Sequence, residues 1–126
     1  MRRALRCTLA LTLLLAVPVL AHLCVDVTIT SAPSSASAGS QIAASGDIEN
    51  CGDSDTDYQV TWALVGNGRR VQLATKVVSV AQGNTQAITD QLFIPSNVPT
   101  GSYNLVLHAE APTGFQDSDS SPLTIQ

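Results

Sequence analysis

The stretch Asp57-Tyr-Gln-Val-Thr-Trp-Ala-Leu-Val65, closed by Gly66-Asn67-Gly68, decides the fold of this chain. Val60, Trp62 and Leu64 occupy every second position, and a period of two is typical of a strand with one buried face. Trp62 is the only tryptophan. A buried tryptophan contributes more apolar area than any other side chain. We therefore predict that the hydrophobic core forms around Trp62.

A second alternating run supplies the partner for that buried face. Tyr103, Leu105 and Leu107 recur at every second position and are continued by Ala109, which again predicts a strand. The Gly66-Asn67-Gly68 sequence predicts a tight hairpin after the Trp62 strand. We expect Trp62, Tyr103, Leu105 and Leu107 to form the centre of the core.

The rest of the chain is built from short segments of the same kind, separated by Gly, Pro, Asn and Ser. The predicted strands cover residues 24–30, 41–50, 57–65, 69–76, 85–94, 102–111 and 122–126, with 77–80 as an extension or a separate strand. Beyond the first 21 residues no window has a helical period. About seven short strands bounded by turn residues predict an all-β fold, an immunoglobulin-like antiparallel β-sandwich.

The first 21 residues have the features of a secretory signal peptide. Met1–Arg6 is basic, Thr8–Leu20 is apolar, and Val19-Leu20-Ala21 resembles a signal peptidase site. Cleavage after Ala21 leaves one domain, residues 22–126. This organisation predicts a secreted or periplasmic protein with no membrane span in its mature chain.

Removal of this leader makes the chain strongly acidic. Of six Lys and Arg residues, Arg2, Arg3 and Arg6 lie in the leader, so three basic residues remain against ten Asp and Glu, a formal charge of −7. That charge argues against nucleic acid and anionic membranes as ligands. We expect the partner to be a protein or another ligand at a cell surface.

The cysteines indicate a disulfide. Cys7 lies in the leader, which leaves Cys24 and Cys51, and an even pair in an exported chain predicts one bridge. The predicted antiparallel pairing of residues 24–30 with 41–50 also places the two cysteines at adjacent strand ends. Closure of this loop stabilises the fold by about 3 kcal/mol where restriction of the unfolded chain dominates.

Several short motifs point to a known family. They are Ser37-Ala-Gly39, Ile48-Glu-Asn-Cys-Gly52, Val80-Ala-Gln-Gly83, Pro99-Thr-Gly-Ser-Tyr103 and Gln116-Asp-Ser-Asp-Ser-Ser-Pro-Leu-Thr-Ile125. Together they resemble CARDB, the cell-adhesion-related immunoglobulin-like domain of bacterial exported proteins, although the acidic segment before the last strand is shortened to Asp117-Ser-Asp119. The resemblance implies a non-enzymatic binding or spacer module. It assigns no site residues.

Two acidic segments suggest a calcium site. Asp53, Asp55 and Asp57 alternate as at the start of a calcium loop, since calcium prefers oxygen ligands. Tyr58 stands where an EF-hand requires glycine, so an EF-hand is excluded. In a sandwich, however, the loop after the second strand and the loop before the last strand can lie at the same end. Asp117 and Asp119 would then lie close to Asp53, Asp55 and Asp57. Calcium is therefore a possible cofactor, with a solvated acidic loop as the alternative.

Other chemistry has weaker support. A mature N-terminal His22 would offer an imidazole and an α-amino group as copper ligands, with His108 as the second histidine. The alternative is an incidental terminus and a surface histidine. No arrangement of Ser, His and Asp for nucleophilic catalysis can be argued, so we expect no enzyme. The classes that remain are a binding or adhesion module, a small metal-binding protein and a protease-inhibitor-like sandwich.

The face of the Trp62 and Tyr103 strands that points away from the core is a candidate interface. Ala63, Val65 and Val106 are small or apolar there, where a solvated sheet has polar residues. This face is either a partner or self-association surface, or an ordinary surface with isolated apolar residues.

Overall fold

The structure, a computed structural model, describes residues 23–126. The predicted signal peptide 1–21, Cys7 and His22 lie outside these described residues. Within residues 23–126 no helix is long and apolar enough to span a membrane.

The chain folds as a sandwich of two β-sheets, as predicted. Its strands are β1 (Val25–Ser31), β2 (Ser35–Ala36), β3 (Gln41–Asn50), β4 (Thr56–Gly66), β5 (Arg69–Val80), β6 (Thr85–Phe93), β7 (Gly101–Glu110) and β8 (Gln116–Ile125). One sheet has the order β1-β3-β6 and the other the order β2-β8-β7-β4-β5. All pairings are antiparallel except the short one between β2 and β8. The eighth strand is β2, whose two residues lie between the predicted strands 24–30 and 41–50.

Trp62 lies at the centre of the core, 1% exposed. It is directly opposite Leu107, and the neighbouring Leu64 is opposite Leu105. Tyr103 and both leucines are also buried. Since β4 and β7 are central in their sheet, their alternating apolar side chains cover the three-stranded sheet from the inside. The two strands singled out in the sequence thus supply the middle of the core.

A tyrosine corner and a tight turn hold one end of these strands. The Tyr103 hydroxyl donates a hydrogen bond to the Pro99 carbonyl (2.7 Å) and accepts one from Asn67 Nδ2 (3.1 Å). A tyrosine bonded to the backbone a few residues upstream is a hallmark of immunoglobulin-like sandwiches. Asn67 and Gly68 have φ values of 51° and 70°. Positive φ at both central residues is what a type I′ hairpin turn requires.

The disulfide Cys24–Cys51 closes the other end of the sandwich, as predicted. The residues next to the two cysteines, Val25 and Asn50, are paired across β1 and β3. The Tyr58 hydroxyl donates to the Cys24 carbonyl at 3.2 Å. Burial raises the pKa of Tyr58 above its ordinary value of 10.0, and a side-chain hydrogen bond with Thr56 opposes this rise. The phenol is therefore neutral at physiological pH.

The two sheets are joined by polar contacts at one open side. Asp90 on β6 accepts a hydrogen bond from Trp62 Nε1 (2.9 Å) and forms an ion pair with Lys76 Nζ on β5 (2.7 Å). In the sequence Asp90 interrupts an apolar run. Its partners show that it faces the inside of the sandwich and satisfies the indole N–H, which is costly to bury without an acceptor.

The last strand differs from the sequence expectation. It begins at Gln116, whereas the sequence predicts a loop as far as Ser121. Asp117 Oδ2 accepts a hydrogen bond from the Val27 amide (2.9 Å), and Asp119 Oδ2 accepts one from the Ile29 amide (2.8 Å). The inner face of this part of β8 therefore carries carboxylates that bond to the edge strand β1. A search for apolar alternation does not detect such a strand.

This carboxylate contact leads to a stability prediction. Replacing both Asp117 and Asp119 by Ala removes the acceptors of two partly buried amides, at a cost of about 1–3 kcal/mol for each group left unsatisfied. We expect urea denaturation to show a loss of about 2 kcal/mol in the free energy of unfolding, since water reaches this edge. Ser118→Ala, on the outer face of the same strand, is the control. Equal stability of the double variant and the wild type would show that the contacts are dispensable.

Candidate binding surface

The three aspartates of the β3–β4 segment are exposed, and two of them have hydrogen-bond partners within the fold. Asp55 Oδ1 accepts a hydrogen bond from the Gln82 amide (2.9 Å), and Asp57 Oδ1 accepts one from the Ser79 hydroxyl (2.6 Å). Asp53 is exposed in the loop. Asp55 therefore ties the loop to the turn after β5, whereas Asp57, at the start of β4, bonds to the neighbouring strand β5.

Asp117 and Asp119 do not join these three aspartates in a metal-binding cluster within the described residues. Both lie inside β8 and bond to β1, as described above. Among residues 23–126 no set of three or more Asp, Glu, His or Cys side chains is arranged to hold a metal ion. The physical reason is that β1 is an edge strand, and Asp117 and Asp119 accept hydrogen bonds from its Val27 and Ile29 amides.

His108 lies on the outer face of the five-stranded sheet. Its Nε2 is 2.6 Å from Gln116 Oε1, and its side chain is half-buried. The second member of the proposed copper pair, His22, is outside the described residues. The structure therefore places His108 in a hydrogen bond across β7 and β8.

The predicted interface residues lie together in the middle of that outer face. Ala63 is directly opposite Val106, and Val65 is opposite Asn104 on the same strand. Ala63 is fully buried beneath its neighbours, whereas Val65 and Val106 are half-buried. Ala63 thus forms the floor of a shallow apolar area, and the two valines form its accessible part.

We use "outer face" below for the surface formed by Asp57, Gln59, Thr61, Ala63, Val65, Arg70, Gln72, Thr75, Val77, Asn104, Val106, His108, Glu110, Ser118 and Ser120.

Two features of the outer face were missed by the sequence analysis. Val77 on β5 is 68% exposed and points outward beside Gln59. Arg70 is opposite Val65. The pairing of Arg70 with Val65 can be found from the sequence by counting residues outward from the Asn67 turn. The outward orientation of Val77 cannot, because it depends on a bulge in β5.

The charges of the outer face are separated. Arg70 lies at the hairpin end, and Asp57 and Glu110 lie at the opposite end. The acidic end contains a shallow recess, lined by Asp57, Gln59, Val77, Glu110, Ala111 and Pro112. The recess combines two exposed carboxylates with an apolar wall. Such a site suits a cationic side chain that has an apolar stem, as Arg and Lys do.

Comparison with known proteins supports the fold. No family model matches the chain, and no curated protein matches it. Among solved structures, the chain is similar to a CARDB domain from Pyrococcus furiosus solved in complex with di-metal ions. The TM-score is 0.60 at 12% identity, over 83% of this chain and 90% of that one. This chain therefore has a CARDB-like, immunoglobulin-like fold.

Two further similarities involve longer proteins. The sporulation control protein Spo0M of Bacillus subtilis has a TM-score of 0.58 at 10% identity, over 83% of this chain and 49% of that one. A β-glucosidase of Listeria innocua has a TM-score of 0.61 at 13% identity, over 82% of this chain and 16% of that one. The chain thus spans about half of the first protein and a small part of the second. Both similarities concern the sandwich alone.

Proposed function

We propose that this protein is an extracytoplasmic, non-catalytic binding or adhesion module that contacts a protein partner through the outer face. The observation that carries the proposal is the accessible apolar area of Val65 and Val106 in the centre of a CARDB-like sandwich. Polar side chains surround this area, and an apolar centre with a polar rim is the usual anatomy of a protein interface.

The extracytoplasmic part of the proposal is supported by two independent features. The structure contains the disulfide Cys24–Cys51, and disulfides persist in oxidising compartments and are rare in the cytosol. The N-terminal sequence has the basic and apolar segments of a leader. We therefore place the folded domain in the periplasm or outside the cell.

The test is retention of the purified protein on cells of the producing organism. We expect the wild type to be retained and Val106→Lys to be lost, because the substitution places a charge in the centre of the outer face. Phe93→Lys is the matched control: Phe93 is 56% exposed and lies on the other sheet. Similar retention of the two variants, or no retention of the wild type, would contradict the proposal.

A second candidate is calcium binding at the β3–β4 loop. The observation in its favour is the similarity to a CARDB domain solved with di-metal ions, together with Asp53 and Asp55 in the loop and Asp57 at the start of β4. The experiment is thermal unfolding with calcium and with a chelator. If calcium binds here, calcium raises the Tm of the wild type, and Asp55→Asn with Asp57→Asn abolishes the increase. An identical Tm with and without calcium rejects this candidate.

A further inference from the structure

The outer face is electrically self-complementary. Arg70 is exposed at one end, and Asp57 and Glu110 are exposed at the other. The outer-face side chains between these two ends are Ser, Thr, Asn, Gln, Ala and Val, together with His108. A surface with one sign of charge at each end and an apolar centre matches a reversed copy of itself.

The arginines of the hairpin end have no ionic partner within the described residues. Lys76 forms the ion pair with Asp90, whereas Arg69 and Arg70 are exposed beside the turn and form no salt bridge in residues 23–126. The other charged groups of the chain beyond the predicted leader are acidic. A second copy of the chain brings carboxylates to Arg70, the one of the two arginines that lies on the outer face.

The spacing allows this arrangement. Along β4 the acidic end and the hairpin end are about 26 Å apart, from a rise of about 3.3 Å per residue. In this arrangement the outer faces of two copies stack on each other, related by a two-fold axis that lies between them and perpendicular to the strands. The strands of the second copy then run in the opposite direction. Each Arg70 then lies over the partner's recess, where Val77 contacts the arginine stem and Asp57 and Glu110 face the guanidinium. Such a contact uses the same surface twice and closes on itself.

We propose that the partner of the outer face is a second copy of this chain, docked face to face with antiparallel strands. This inference rests on the proposed function, since it names the occupant of the same surface. The four strands that form the outer face, at a spacing of about 4.8 Å and a length of about 26 Å, give a footprint of about 500 Å² per copy. Two copies then bury about 1,000 Å², the lower limit for a specific interface. The dimer is therefore weak and depends on concentration.

The test is sedimentation velocity over a concentration series, with two charge reversals measured alone and mixed. In a dimer of the Arg70→Glu variant, the introduced carboxylate of each copy faces the acidic recess of the other copy. In a dimer of the Glu110→Arg variant, the introduced guanidinium of each copy faces Arg70 of the other copy. We expect each variant to dimerise at least about tenfold more weakly than the wild type, because like charges oppose each other in both contacts. In the mixture both contacts regain opposite charges, so a heterodimer forms with about wild-type strength.

The second-copy inference is overturned if the wild type stays monomeric at every concentration. It is also overturned if the mixture dimerises no more strongly than each variant alone. Circular dichroism of each variant checks that the sandwich is folded. Cells that lack the gene for this chain separate the two proposals: if they still retain the wild type through Val106, the outer face binds a different protein and only the second-copy inference fails.

Discussion

Trp62→Ala is expected to lower the free energy of unfolding by about 3–5 kcal/mol. The tryptophan is 1% exposed and packs between the two sheets, so its removal leaves a cavity that rigid β-strands fill poorly. Since a domain of this size has a total stability of about 5–15 kcal/mol, this loss is a large share of the total, and a clearly lower urea midpoint is expected. Urea denaturation followed by circular dichroism measures the change.

Trp62→Phe is the informative companion to this variant. Phenylalanine retains most of the packing but removes the Nε1 donor that Asp90 accepts at 2.9 Å. Asp90 keeps its ion pair with Lys76, so we expect a smaller loss of about 1–3 kcal/mol. If Trp62→Ala costs no more than Trp62→Phe, the core is not organised around this side chain.

The second large effect concerns the disulfide. Replacing both Cys24 and Cys51 by Ala is expected to cost about 2–5 kcal/mol, as for other small exported domains. The bridge closes a loop with a sequence separation of 27 residues, and its loss increases the freedom of the unfolded chain. Thermal unfolding of the double variant is expected to show a clearly lower Tm than the oxidised wild type.

The reduced wild type is the control for the disulfide prediction. Reduction breaks the same bond without changing any residue, so its Tm is expected to fall close to that of the double variant. The β1–β3 pairing of Val25 with Asn50 stays available in both. An unchanged Tm in both samples would mean that strand pairing alone holds this end of the sandwich.

The central strands could be predicted because each has one buried face. In β4 and β7 the apolar residues alternate without interruption, so the period of two identifies both strands and their inner faces. The hairpin followed from Gly66-Asn67-Gly68. The disulfide followed from the even pair of cysteines beyond the leader, and it agreed with the antiparallel pairing of β1 with β3. These features depend on local sequence or on simple pairing rules.

The outer face was harder to predict because of one residue. In β5 the register shifts opposite Trp62 and Ala63, so that Leu73 is the extra residue of a bulge. Counting regularly from the turn places Val77 opposite Tyr58 and inside the sandwich. The bulge moves it to Gln59 and turns its side chain outward, since a shift of one residue reverses the face. No sequence signal marks Leu73 as a bulge.

The acidic residues were difficult for a different reason. Asp90, Asp117 and Asp119 all face inward near the open sides of the sandwich, where they accept hydrogen bonds from the other sheet. Hydrophobic periodicity treats such residues as interruptions or as loop. The expectation of a five-aspartate cluster failed for this reason, because the carboxylates bind protein N–H groups whose positions depend on the tertiary fold.

The measurement that tests the binding role most directly is photo-cross-linking on living cells. A photoreactive amino acid replaces Val106 in one variant and Phe93, on the opposite sheet, in the other. We expect irradiation to give adducts from position 106 with twice the mass of the chain, and none from position 93. Adducts from position 93 alone, or from neither position, would contradict a binding role for the outer face.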